Sequence, residues 1–377
     1  MVRTEVEAVV RKTSLELTNG KVNLPVFLPD ATYGVVRTVD ARDLEGVGIE
    51  ALVMNTFHLT QKPGSSTIQA LGGLHKMSGW QRPIITDSGG FQAYSLIRQN
   101  ARYGSINDRG ILFYPEGSSR KFQLSPQKTV QLQMGYGADI VICLDDCTHV
   151  DEDEAAPHLS VERPIAWARL SKAEYLKLAT QKEKSGQPRP LLFAVVQGGG
   201  FKDLRKRCAE ALLEIGFDGY GFGGWPLDGE NQLLTDIIGY TRQLIPAEFP
   251  MHALGIGHPL NIHSSYELGY DLFDSAMPTR DARHGRLYTF TNPSTPGATG
   301  LKGDWFAYQY VDNPRSMRSS QPVSPYCNCP CCRDYPLGYL YHLFKQGDPL
   351  FMRLATLHNL RFMVQLTERI REQVAHG

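Results

Sequence analysis

The chain has 377 residues, 42% hydrophobic and 21% charged, which is enough apolar content for a large packed core and too much for a disordered chain. Lys plus Arg balance Asp plus Glu at 39 each, which excludes a uniformly basic nucleic-acid binder but leaves room for a local basic face. No apolar run approaches the roughly 18 residues of a membrane span. The first 20 residues carry Arg3, Glu5, Glu7, Arg11, Lys12 and Glu16 where a signal peptide would have an apolar core, so a cytoplasmic protein is expected.

In chain order, runs rich in Val, Ile, Leu and Phe fall at 24–28, 51–55, 83–86, 139–144, 191–196, 219–223, 252–255 and 271–273. They are too short and too continuously apolar for helices and read as buried strands. Helical patterns lie between them at 126–135, 159–182, 202–215 and 230–244, the first capped by Ser125 with Pro126 at its opening position. The polar stretch 98–123 reads as a hairpin insertion. Beyond Phe290, Gly, Pro, Ser and Thr become frequent over 292–300, and 348–374 is helical in pattern.

Eight strands with intervening helices in about 250 residues predict an α/β fold, a (β/α)8 TIM barrel. A doubly wound open sheet is the competing layout. The polar residues favour the barrel: Asp87, Asp145, Gln197, Gly224 and Asp274 each fall at the end of an apolar run, and a barrel brings all those ends to one mouth. The expected division is 1–290 for the barrel, with N-terminal strands and the insertion, and 291–377 for a C-terminal helical subdomain packed on it.

Of the seven cysteines, Cys327, Cys329, Cys331 and Cys332 are crowded together, which suits metal binding better than a disulfide framework. Cys143 and Cys208 read as buried small hydrophobes. Cys327, Cys329 and Cys332 offer three thiolates from one turn, and His358 a fourth ligand from the terminal helix. Four ligands close a tetrahedral zinc site, making the Zn2+ structural and excluding a zinc hydrolase. Spacing alone leaves Cys331 and His342 open as alternative ligands.

Thr86-Asp87-Ser88-Gly89-Gly90-Phe91-Gln92 alone would pass for a glycine turn. Two further acidic segments, Cys143-Leu144-Asp145-Asp146-Cys147-Thr148 and Phe273-Asp274-Ser275-Ala276-Met277-Pro278-Thr279-Arg280, change that reading. A carboxylate at the end of a buried strand costs desolvation energy unless it is paired or used. Three at one mouth imply acid–base or nucleophilic work on a polar substrate.

Together with Asn55-Thr56-Phe57-His58-Leu59, Gly72-Gly73-Leu74-His75-Lys76, Gln197-Gly198-Gly199, Leu254-Gly255-Ile256-Gly257 and the cysteine knuckle, these segments resemble the tRNA-guanine transglycosylase (queuine tRNA-ribosyltransferase) family over nearly the whole chain. The resemblance implies replacement of guanine in tRNA by a 7-deazaguanine base, with free guanine released. It implies Asp274 as nucleophile on ribose C1′ and Asp87 as general acid/base. It implies base contacts from Ser88, Asp145, Gln197 and Gly224, with Cys147 and Leu254 lining the pocket. Phe91 would cover the base or serve as ordinary core. Arg280, Arg283 and Arg286, and along the appendage Arg333, Lys345 and Arg353, are candidate phosphate contacts. A homodimer through the zinc region is also implied.

The sequence departs from the family pattern at Trp225-Pro226-Leu227-Asp228-Gly229-Glu230, which borders the substituent of the incoming base, at the Ala282-Arg283 step, and at His258. Two alternatives stand beside the main reading: a non-catalytic subunit of a heterodimeric transglycosylase, and the same exchange on DNA guanine.

Overall fold

Eight runs buried on both faces form the strands β1 (Val26–Pro29), β2 (Leu52–Asn55), β3 (Ile84–Asp87), β4 (Ile140–Ile142), β5 (Leu191–Val196), β6 (Gly219–Phe222), β7 (Met251–Ala253) and β8 (Leu272–Ser275). The computed structural model describes residues 11–114, 121–147, 155–292, 301 and 303–376; Thr148, most of 292–300 and part of the 98–123 insertion lie outside the described residues. All eight strands are parallel neighbours in chain order. β8 returns to β1 with Leu272 opposite Val26 and Asp274 opposite Leu28. Closure between β1 and β2 comes from a parallel bridge of Asp30 to Val53, where the Ala31 N–H donates to the Val53 carbonyl at 2.7 Å. The expected TIM barrel is the observed fold.

Side chains alternate across each strand. Val26, Leu28, Val53, Ile85, Ile140, Ile142, Phe193, Val195 and Leu272 form one buried cluster inside the barrel. Their chain neighbours Phe27, Leu52, Met54, Ile84, Val141, Leu192, Ala194 and Phe273 belong to a second cluster beneath the surrounding helices. An N-terminal hairpin (Ser14–Leu17 with Gly20–Asn23) adds Leu15 and Val22 to the interior cluster. Its Asn19 N–H donates to Asp139 at the start of β4, so it closes the N-terminal end of the barrel.

Lys202–Ile215 is helical as expected, and Pro126–Tyr136 starts on Ser125, whose Oγ accepts the Lys128 N–H at 3.1 Å. Two boundaries differ from expectation. The helix anticipated at 230–244 begins only at Thr235. The Asp228 carboxylate accepts the N–H groups of Glu230 and Gln232, and Asn231 takes a positive φ of 62°, holding those residues as a loop. Residues 98 and 99 finish the helix Gly90–Gln99, after which a three-stranded antiparallel sheet (Gly104–Asn107, Gly110–Phe113, Phe122–Leu124) follows.

Past β8, Arg286–Phe290 pairs antiparallel with Phe306–Tyr310, and the chain ends in the helix Pro349–His376. That helix sends Leu357, Leu360, Phe362 and Met363 into the main core. The fully buried Asn359 accepts the Tyr288 N–H and donates to the Pro278 and Arg286 carbonyls, tying the helix to the segment that follows β8.

Candidate active site

The alternation that fills the barrel with aliphatic side chains predicts what stands above them. Continuing each interior face one residue past its last apolar position gives Asp30 after Leu28, Asn55 after Val53, Asp87 after Ile85, Gln197 after Val195 and Asp274 after Leu272. These polar groups, with Leu254 and Gly223, crown the C-terminal end, where barrel enzymes place their chemistry. A cavity of about 390 Å³ opens there, lined among others by Asp30, Asn55, Asp87, Ser88, Phe91, Asp145, Cys147, Gly224, Leu254 and Asp274.

Asp274 is held by one oxygen. Its Oδ1 lies 2.8 Å from His252 Nε2 and accepts the Gly255 N–H at 3.0 Å. Among the described residues no donor reaches Oδ2, which leaves it for the cavity. Asp87 sits two strands from β1: Asn55 Nδ2 donates to its Oδ2 at 2.7 Å, and the Gly89 N–H to its Oδ1 at 3.1 Å. Burial, then the negative charges of Asp30 and Asp274, raise the Asp87 pKa well above the usual carboxylate range. Gly89 permits this turn because its φ is +80°, and a Cβ there would lie 2.6 Å from Phe57 Cβ.

Asp145 stands on the opposite wall, after β4. Gln197 Nε2 donates to its Oδ2 at 2.6 Å and the Ser88 hydroxyl reaches Oδ1 at 3.5 Å. Burial pushes its pKa up to about 6, against the opposing effect of the Gln197 hydrogen bond. Gln197 does not line the cavity; it is fully buried behind Asp145, and its Oε1 has no partner among the described residues. Phe91 is not core: it is 40% exposed and stacks on the equally exposed Trp225, ring centroids 5.8 Å apart, at the cavity lip.

The candidate phosphate-binding arginines separate. Arg283 is half-buried, its Nη1 has no partner among the described residues, and burial with the nearby charges of Arg37 and Arg280 lowers its pKa. Arg280 is exposed, whereas Arg286 faces Asp281 at 3.7 Å and lies over the Tyr308 ring. Arg353 pairs with Asp43, and Arg333 with its neighbour Asp334.

Four important residues escape a reading by motif. His252 is a single polar residue inside β7 and Asp30 stands just past the end of β1, both visible only once the two-residue period is carried through. Arg37 has no motif. Arg205, in the helix after β5, reads as a surface arginine but is buried, donating to the Gly199, Val196 and Gly223 carbonyls over the Phe222 ring. It fixes the turns that follow β5 and β6.

In the C-terminal region, ligand atoms of Cys327, Cys329, Cys332 and His358 all lie within 4.8 Å of one another and are placed to hold a metal ion. His358 Nδ1 faces the sulfurs, 3.2 Å from Cys332 Sγ, while Nε2 lies 2.7 Å from the Tyr288 carbonyl. That second contact fixes the tautomer with Nδ1 free to ligate. Cys331, fully buried, lies outside the set of four, and His342 stacks on Tyr339.

A parallel barrel that gathers carboxylates around one cavity at its C-terminal end defines an enzyme suited to acid–base or nucleophilic chemistry on a polar substrate. The sequence profile of the queuine tRNA-ribosyltransferase family matches residues 7–377. Proteins named queuine tRNA-ribosyltransferase share 34% identity in Psychrobacter sp. (strain PRwf-1), covering 98% of this chain and 90% of that one, and 36% in Thermotoga neapolitana, covering 98% and 94%. A putative queuine tRNA-ribosyltransferase of Archaeoglobus fulgidus is 34% identical over 98% and 94%. The chain belongs to the queuine tRNA-ribosyltransferase family. No helix among the described residues is long and apolar enough to cross a membrane.

Proposed function

We propose that the protein exchanges guanine in tRNA, at the anticodon wobble position, for a 7-deazaguanine base through a covalent bond between Asp274 and ribose. Asp274 Oδ2 attacks C1′ as the bond from C1′ to guanine N9 breaks, and Asp87 in its acid form gives its proton to the departing base. The incoming base then occupies the same cavity and returns a proton to Asp87. Its nitrogen attacks C1′ and Asp274 leaves as carboxylate. Two inversions give net retention. Asp145, with Ser88 and the Gly224 backbone, receives the donor edge of the base, and Gln197 holds Asp145 in place.

The observation that carries this reading is that Asp274 and Asp87 face one cavity with Asp145 on its far wall. Burial and the charges of Asp30 and Asp274 raise the Asp87 pKa, which favours the acid form that this step uses. With both carboxylates present, the chain has what a catalytic subunit needs. The test is labelled-guanine exchange together with trapping of a tRNA adduct on a denaturing gel. Wild type is expected to do both and Asp274→Ala neither; exchange by Asp274→Ala would overturn the assignment.

Three thiolates and an imidazole suit Zn2+, and four protein ligands leave no position for water, so the metal braces the fold. We assign the protein to the cytoplasm, where its tRNA substrate is found, and to a homodimer, which sedimentation at working concentration tests.

A further inference from the structure

The crown of the barrel has two halves. Asp145 and Gly224 follow β4 and β6, while Asp274 ends β8. A nucleoside whose base edge meets Asp145 and whose C1′ meets Asp274 therefore lays its sugar over β8, β1 and β2. The side chain that β1 raises into that half is Asp30. It lies one pleat beyond Leu28, the residue in register with Asp274, and beside β2, which carries Asn55.

Asp30 lines the cavity and is anchored from one side only: the Thr32 hydroxyl lies 2.6 Å from each of its carboxylate oxygens. The Thr32 hydroxyl and backbone N–H together still leave acceptor capacity on the carboxylate. No partner of opposite charge contacts it among the described residues. Burial raises its pKa, as does the charge of Asp274, while the exposed Arg37 lowers it, and the Asp30 charge acts in turn on Asp87 and Arg283. Arg37 also adjoins Arg283, so the basic groups suited to a phosphate backbone stand on this same side of the mouth.

Resting on the nucleophile assignment above, we propose that Asp30 accepts a hydrogen bond from the ribose 2′-hydroxyl and makes the exchange selective for RNA over DNA. The hydroxyl is carried by C2′, the carbon bonded to the one that Asp274 attacks, so a carboxylate next to Asp274 is placed to receive it. The 2′-hydroxyl is what allows a protein to tell RNA from DNA at a given nucleotide. A carboxylate there also places negative charge beside a sugar that becomes cationic in the transition state.

The experiment compares single-turnover exchange of labelled guanine into an unmodified tRNA and into the same tRNA carrying 2′-deoxyguanosine in its anticodon loop. Asp30→Ala and the near-isosteric Asp30→Asn, both checked for a cooperative melt, are compared with wild type. Because the deoxyribosyl bond is the more labile, the quantity read is the change in the ribo-to-deoxy rate ratio on mutation. Loss of a hydrogen bond to a charged group lowers that ratio by roughly 10- to 100-fold in Asp30→Ala, with a smaller fall in Asp30→Asn, whose carbonyl still accepts. A ratio unchanged within about twofold, with both rates depressed together, assigns Asp30 to the Thr32 turn and overturns the proposal. Asp274→Ala is run in parallel: exchange by that variant overturns the nucleophile reading, while the Asp30 ratio is still read from the wild-type pair.

Discussion

His252 Nε2 lies 2.8 Å from Asp274 Oδ1, and the His252 ring is 99% buried beneath the carboxylate with no partner for Nδ1 among the described residues. On the proposed assignment of Asp274 as nucleophile, the pair explains how that carboxylate is aimed. With Oδ1 occupied by the imidazole and the Gly255 N–H, only Oδ2 is presented to the cavity. In the proposed reaction, charge on Oδ1 falls when Oδ2 bonds to C1′ and returns when the bond breaks, and a donor fixed at Oδ1 favours that return.

Replacing His252 by Phe should therefore slow exchange by roughly 10- to 100-fold, the range for losing a hydrogen bond to a charged group. His252→Gln, which can present an N–H near the same place, should recover most of the loss. Rates of adduct formation and of its resolution by added base, measured separately, check this. Equal rates for the Phe and Gln variants would mean that His252 only fills space.

The Asp145 carboxyl gives a pH-dependent prediction for stability. Its folded pKa is raised to about 6 from an ordinary 3.8. Between those values the folded chain keeps a proton that the unfolded chain has released, so stability falls as pH rises through the window. Above pH 6 the full penalty applies, an upper bound of roughly 3 kcal/mol. Asp145→Asn should thus be more stable than wild type at pH 8, with the advantage shrinking as pH drops below 6. A flipped Gln197 amide would offer its unpartnered Oε1 to the new side chain. Denaturant melts across this range check the trend, and, on the proposed role of Asp145 in receiving the base edge, exchange should be lost when an amide replaces the carboxylate.

The metal site separates Cys331 from its neighbours. Metal analysis should find one zinc per chain in wild type and in Cys331→Ser, and loss of zinc in Cys329→Ser or His358→Ala. Because His358 joins the knuckle to the terminal helix and contacts the Tyr288 carbonyl, metal loss should lower Tm by roughly 5 °C or more, equivalent to a few kcal/mol at this chain length.

How much of this was legible in the sequence depended on how many independent constraints each residue met. Strands such as Leu191–Val196 are buried on both faces, so composition alone marks them. Asp87 and Asp274 stand in the last residues of β3 and β8 and Asp145 shortly after β4, and each is marked by the apolar run before it. Residues 230–234 have the hydrophobic periodicity of a helix yet form a loop, because side-chain acceptors competing for backbone N–H groups leave no trace in that periodicity. Asp30 and His252 are harder: each is one polar residue among apolar neighbours, and its direction is known only after strand parity is fixed. Arg205 shows the limit, since a guanidinium buried against three carbonyls has the same sequence context as an exposed one.

Arg283 supplies a prediction about the polymer. Its guanidinium is half-buried, the like charges of Arg37 and Arg280 act against it with a smaller opposing effect from Asp30, and its Nη1 has no partner among the described residues. Arg286 already faces Asp281. If a phosphate completes the first group, Arg283→Ala should weaken tRNA binding and make the slope of log K against log salt shallower by roughly 0.7 to 0.9, the effect of one lost phosphate contact. Arg286→Ala should change that slope less, because its charge is partly neutralised within the protein. Filter binding over a salt series reads both. An Arg283→Ala slope equal to that of wild type would place the RNA backbone elsewhere on the barrel mouth.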